Sequence, residues 1–283
     1  MAISNKLVIA AAISGAGTSK EVAPSVPITA SEIAEEVVAV AKAGAAMVHI
    51  HVRDDNGGGT MDTEKFIEAF EATKKACLAE NIDVIINLTT SGGPASIETR
   101  LAHLRELKPE MCSYDAGTMN WANSYIFENP PELLEKLGTL TQELDIKPEI
   151  EIFDGSMIGN AMYYIKKGFL KTPCHFQFVL GVPGGLDGNI DSVNFLLPKL
   201  PEGSTWSITG IGKTHMSMML AGLSAGADGL RVGLEDNVMF EKGVIATNVQ
   251  LVERAIELAK IAGREIATAE EAREILSINR KSW

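Results

Sequence analysis

The sequence predicts a closed (β/α)8 barrel of the TIM type, on three observations. Short apolar runs that read as strands alternate with helix-spaced segments eight times, at a spacing of roughly 30 residues, and such alternation builds a parallel sheet. No long structureless insert interrupts the series. The length of 283 residues supplies the ~250 that such barrels typically use, with an extra helix besides. Residues 1–283 therefore read as one barrel domain with a C-terminal extra helix, without a second domain or low-complexity linker.

The elements follow in order. Leu7-Val-Ile-Ala-Ala-Ala-Ile13 is apolar throughout, as a strand buried on both faces is, and leaves into Ser14-Gly-Ala-Gly17. Thr29-Ala-Ser-Glu32 has the pattern of a capping box, and the helix it opens spaces Ala34, Val37, Val38 and Ala41 along one face. Ala46 to Asp55 is strand two. Its Val48, Ile50 and Val52 alternate with His49, His51 and Arg53, so a period of two puts the polar three on one face, looking into the barrel mouth. Gly57-Gly-Gly59 turns the chain into a helix from about Asp62 to Leu78, with Phe66, Ala69, Phe70 and Ala76 as its apolar stripe.

Strand three is Asp83 to Thr89, leaving into Thr90-Ser-Gly-Gly-Pro94, and a helix spans about Ile97 to Leu107. Strand four, Met111 to Asp115, ends in Ala116-Gly-Thr118; Pro130 and Pro131 then open a helix where a missing N–H does no harm. Strand five, Pro148 to Asp154, sets Glu149 and Glu151 on one face and Ile150 and Ile152 on the other, and helix 156–167 follows. Strand six is His175 to Leu180, closed by Gly181-Val-Pro-Gly-Gly185. Strand seven is Trp206 to Thr209, with Gly210-Ile-Gly-Lys-Thr214 opening a helix. Strand eight is Gly229 to Gly233, followed by Leu234-Glu-Asp-Asn237. Val244 to Ala262 is a long closing helix, and Thr268-Ala-Glu-Glu271 caps a last one.

Composition bounds the function. With 46% hydrophobic and 22% charged residues the chain has an ordinary globular makeup and a core that needs no staples. Cys77, Cys112 and Cys174 are far apart and lack any Cys-x-x-Cys spacing, so they suggest neither a disulfide framework nor a thiolate zinc site, but buried thiols in a reducing compartment. The stretch from Met1 to Val8 has no basic region followed by a long apolar run, and no segment approaches the ~18 apolar residues of a membrane span. The expected location is cytoplasmic. A net charge of −12 argues against a nucleic-acid surface. It leaves room for an anionic small substrate, because a local arginine or metal reverses the field inside a cleft.

In a barrel of this kind the site lies at the carboxyl ends of the strands. His49 and His51, two apart on one strand face, can give two nitrogens to one ion. Strand eight neighbours strand one in a closed barrel, so Glu235 can approach them and complete a shell with one position open. The alternatives are two satisfied core histidines and a glutamate at a solvated helix entry. Arg231 and Asp236 form either a structural ion pair or a functional one, in which the arginine orients a carboxylate bidentately and the aspartate takes a proton. Asp115 and Asp154 end strands four and five beside them. Burial raises the pKa of Glu149 and Glu151 unless they are paired, so one suits acid–base work and the other an Arg or Lys partner. Gly210-Ile-Gly-Lys-Thr214 lacks the glycine that a P-loop needs at Ser207, although Lys213 at a helix-entering turn still suits a phosphate.

Four motifs in order, Val-His-Ile-His-Val-Arg-Asp from Val48, Asp-Ala-Gly-Thr-Met-Asn from Asp115, Phe-Val-Leu-Gly-Val-Pro-Gly-Gly from Phe178 and Arg-Val-Gly-Leu-Glu-Asp-Asn from Arg231, resemble the β-keto acid cleavage enzymes. The resemblance covers nearly the whole chain. It implies a zinc-dependent, usually tetrameric barrel that reacts a β-keto acid with acetyl-CoA to give acetoacetate and a new acyl-CoA. It also implies that His49, His51 and Glu235 bind the metal, zinc or another divalent first-row ion. Thr89, Gly92 and Thr118 would contact substrate, and Arg231 and Asp236 would assist proton abstraction. Apart from the resemblance, the phosphate-suited turn at Lys213 is a place for part of CoA. The implied chemistry has a base take a proton from acetyl-CoA, whose carbanion attacks the keto carbon. In the lysine-fermentation member a glutamate after strand one recognises the substrate amine; here Gly17 stands in its place, so the expected substrate is a different β-keto acid. Lys20 nearby suggests a keto diacid. The rival readings are a metal-dependent aldolase or hydrolase without CoA, and a non-catalytic barrel.

Overall fold

The computed structural model describes residues 5–281. The strands β1 (Lys6–Ala12), β2 (Met47–Ile50), β3 (Ile85–Leu88), β4 (Met111–Asp115), β5 (Lys147–Ile152), β6 (His175–Leu180), β7 (Thr205–Gly210) and β8 (Gly229–Val232) pair in parallel, each with the next. β8 returns to β1, with Val8 opposite Gly229 and Ala10 opposite Arg231, and so closes the barrel. Closure leaves no free edge.

The helices α1 (Ala30–Ala43), α2 (Thr63–Ala79), α3 (Ile97–Leu107), α4 (Pro131–Glu143), α5 (Gly155–Lys167), α6 (Ile190–Leu196), α7 (His215–Ala225) and α8 (Asn248–Ile261) cover the outside. Their apolar stripes and the outward strand residues, such as Leu7, Ile9, Val48, Ile50, Ile150 and Ile152, make one continuous core. The expected capping box is present at Thr29 and Glu32, and Asp62 caps α2.

The interior is layered. At the amino-terminal end Val8, Ala10, Met47, Ile85 and Met111 pack against Ala272 and Leu276 of α9 (Ala269–Leu276), which plugs the lower mouth. Above them the barrel is polar: Asn87 donates to Glu149 at 2.7 Å, and Ser207 bonds both His175 and Gln177. Apolar residues thus fill the lower barrel, and the inward polar residues lie toward the upper mouth.

Three local departures from the sequence reading matter. The barrel strand with His49 ends at Ile50; Val52–Arg53 turns away to pair antiparallel with Gly59–Thr60. The closing helix begins at Asn248, because Thr247 and Gln250 form a capping box there, and Val244–Ile245 instead pairs with Met239–Glu241. A hairpin of Met119–Trp121 with Tyr125–Phe127 follows β4, where no strand was expected. Met1–Ser4, read for a leader segment, lie outside the described residues. Among the described residues no helix is long and apolar enough to cross a membrane.

Candidate active site

The upper mouth opens into a cavity of about 990 Å³. His49 lies on the inner face of β2, opposite Ala12 and Asn87 of the neighbouring strands. His51 follows at the strand end, where the buried Ser14 hydroxyl holds its backbone from both sides, donating to the carbonyl at 2.8 Å and accepting from the amide at 3.0 Å. Glu235 arrives from the loop after β8. Its Oε1 lies 3.7 Å from His49 Nε2 and 3.4 Å from His51 Nε2. Donors that each sit about 2 Å from a tetrahedral ion are roughly 3.3 Å apart, so these three suit one divalent ion.

Two further observations fit. Glu235 Oε2, the second oxygen of the carboxylate that meets both imidazoles, is buried without a hydrogen-bond partner. Burial holds the His49 imidazole down at about 3, so the ring is neutral and its lone pair is free for a ligand. His49, Glu149 and Glu151 also converge, but Asn87 engages Glu149 and Arg231 engages Glu151.

Arg231, on the inner face of β8, organises the carboxylates. Its Nε and Nη2 donate to the two oxygens of Asp236 at 2.9 Å each, Nη2 to Glu235 at 2.6 Å and Nη1 to Glu151 at 3.1 Å. Four of five donors are thereby used. The bidentate grip expected for a substrate carboxylate goes to Asp236 instead. Thr209 donates a further bond to Asp236 at 3.0 Å. Burial pushes the Asp236 carboxyl up against the pull of Arg231. Glu151 is likewise raised by burial. Glu149, pushed by burial up to about 7, sits beneath the cavity on Asn87.

Asp115 lines the cavity beside Glu151, its partner in the β4–β5 register. Ser91 donates to its Oδ2 at 2.7 Å, while Oδ1 has no partner. Gly92 also lines the cavity, and any side chain there would collide with Arg100, whose Cγ would lie 2.4 Å from an added Cβ. The amides of Gly92 and Gly93 have no protein acceptor among the described residues. Gly93 takes a left-handed φ of 52°, so this turn is a concavity suited to an anion.

Other expected residues take supporting places. Thr89 is buried beneath the cavity wall and accepts the Ser91 amide at 3.0 Å, fixing the glycine turn. Thr118 is exposed, away from the cavity, and accepts the Asn129 amide. Arg53 does not look into the mouth: it donates to the carbonyls of Ser14, Gly15, Thr18 and Gly57 and so clamps the loop after β1. Asp154 caps α5, Lys20 pairs with Glu32, and Lys213 lies in a turn outside the cavity. Sequence reading missed Trp121, Tyr125 and Phe127, which line one wall; their alternation around Asn123-Ser124 is a hairpin signal that spacing alone left ambiguous.

A family model described as beta-keto acid cleavage enzyme matches residues 6–278. The chain belongs to the β-keto acid cleavage enzyme family. It is accordingly an enzyme of acyl transfer with carbon–carbon bond cleavage. It is 43% identical over 276 residues to the 3-keto-5-aminohexanoate cleavage enzyme of Fusobacterium nucleatum, covering 97% of this chain and 99% of that one. It is 33% identical to the 3-oxoadipate:acetyl-CoA acetyltransferase of Cupriavidus necator over 275 residues, 96% of this chain and 94% of the relative. The structure of a ternary complex of ObcA with a C4-CoA adduct and oxalate shares the fold, with a TM-score of 0.76 at 22% identity over 90% of this chain and 68% of that one.

Proposed function

We propose that this family member condenses a β-keto acid other than 3-keto-5-aminohexanoate with acetyl-CoA, giving acetoacetate and a new acyl-CoA. The observation that carries the reading is Asp236, gripped through both oxygens by Arg231 one residue from the Glu235 that meets His49 and His51. A divalent ion on those three, zinc by family resemblance, would supply Lewis-acid polarisation of the keto oxygen.

Atom balance fixes which carbon is deprotonated. An acetyl-CoA carbanion attacking the keto carbon, the route expected from sequence, would on cleavage release acetate and a lengthened acyl-CoA. Acetoacetate requires the reverse polarity. Asp236 takes a proton from C2 of the keto acid, and C2 attacks the thioester carbonyl and expels CoA thiolate. The thiolate then adds to C3, the C2–C3 bond breaks to release the acyl-CoA, and C2 takes its proton back from Asp236 to give acetoacetate. Arg231 holds Asp236 in place through both steps. The amides of Gly92 and Gly93 receive the substrate carboxylate, and Thr89 keeps their turn in shape.

The test is acetoacetate release from a panel of β-keto acids with and without acetyl-CoA. Strict dependence on acetyl-CoA is expected; turnover without it would favour the aldolase or hydrolase reading. His49→Ala should lose the bound divalent ion, measured by elemental analysis, together with activity. A metal-free variant that still turns over would sink the assignment.

A further inference from the structure

We infer that the distal group of the substrate is uncharged and apolar, an alkyl or aryl chain seated against an aromatic wall formed by the hairpin after β4. This rests on the β-keto acid reading above.

Among the described lining residues Arg231 is the one arginine or lysine, and four of its five donors are taken by Glu151, Glu235 and Asp236. A distal carboxylate thus has no cationic partner. Glu151, Glu235 and Asp236 cluster at the base around Arg231, where the reacting head must sit, and Asp115 ends β4 level with Glu151, its Oδ2 held by Ser91. The exception is Asp62 at the rim, which accepts the Glu64 amide as the cap of α2. At Gly17 the loop after β1 presents no side chain, and an added Cβ would have open space around it. A distal ammonium has no carboxylate above the base that is not already engaged. The rim threonines are engaged too: Thr18 donates to Leu234, Thr60 accepts from Asp62, and Thr99 bonds Ser96.

What remains for a tail is apolar. Trp121 packs edge-on against Phe127 and Phe153, with ring centroids 5.3 Å apart in both pairs. Val179 and Ile211 continue this wall, and Tyr125 stands at its rim 52% exposed. A tyrosine so exposed over a cavity gains from being covered. The wall is also preformed. Leu186 donates to the Phe153 carbonyl at 2.8 Å. Gly184, at φ 98°, lies so close to the hairpin that an added Cβ would fall 1.9 Å from the Asn120 carbonyl. A preformed apolar wall favours binding because little ordering accompanies contact.

The test compares kcat/KM with acetyl-CoA for 3-oxopentanoate, 3-oxohexanoate, 3-oxo-3-phenylpropanoate, 3-oxoadipate and 3-keto-5-aminohexanoate, with calorimetric binding of each acid alone. The longer alkyl or aryl acid should exceed both charged acids by about 10-fold or more, the scale of a methylene or ring in an apolar pocket. Trp121→Ala should erase most of that margin through KM, while Gly17→Glu should raise the relative rate of the amino acid. A charged tail preferred in turnover or binding overturns the inference. If no acid turns over, the β-keto acid reading fails, and binding still decides whether the cavity prefers an apolar tail.

Discussion

At the scale of single residues, Asp236 shows how much of a side chain's chemistry its neighbours set. Held by Arg231 through both oxygens and by Thr209, it has one orientation. Asp236→Asn keeps the shape and removes the proposed base, so activity should fall roughly 10²–10⁴-fold while metal content, measured in parallel, stays unchanged. His103 makes a different kind of prediction. It is fully buried, stacked on Phe66 with centroids 4.0 Å apart, and burial depresses it to about 3. The unfolded chain takes up this proton near pH 6.5 and the folded chain only near 3, so stability falls as pH drops through that window and levels below it. His103→Phe preserves the stack. It should flatten the acid side of the stability curve by about 1 kcal/mol per pH unit. Urea unfolding from pH 7 to 4 reads this; an unchanged slope would rule His103 out as an acid sensor.

At the scale of elements, the loop after β1 is the instructive case. Alternation along 46–55 assigned His49, His51 and Arg53 to one face, and two of the three do face the mouth. The third is lost because the ladder with β3 stops at Ile50, after which the chain joins a separate hairpin and aims the guanidinium at four carbonyls. Neither event leaves a mark within the ten residues. Arg53→Lys gives up the planar fork for three donors on a flexible stem. We expect a KM for the keto acid raised about 5–10-fold with metal content retained, the order of magnitude of one or two lost charge-assisted bonds. An unaltered KM would mean that the loop holds its shape without the clamp. The aromatic hairpin after β4 was hidden for a related reason: three-residue strands carry too little pattern to be told from a turn.

At the scale of the molecule, the barrel keeps its candidate site at one end and its fastening at the other. Arg273 of α9, 3% exposed at its side chain, donates to Asp83 at 2.8 Å and to Glu110 at 2.8 and 3.1 Å, tying the plug to the strand-entering loops of β3 and β4. Arg273→Met would leave Glu110 buried without its partner. The expected loss is about 3 kcal/mol, read by denaturant unfolding, with kcat unchanged because the plug lies at the far mouth. A fall in kcat at full folding would show instead that the two ends are coupled.

The sequence by itself determined eight strands and their order, the inward polar alternation at His49, His51, Glu149 and Glu151, and the family, because these rest on local periodicity and on motifs contiguous in the chain. Tertiary structure alone decided the partnerships. Closing β8 onto β1 is what brings Glu235 within 3.4 Å of His51. The curved sheet also brings Glu151 to Arg231 across 80 positions, and the chain after β4 leaves Thr118 outside the cavity that Gly92 lines. Such contacts join residues up to 186 positions apart, the separation of His49 from Glu235. Only the register and curvature of a closed sheet fix distances of that kind.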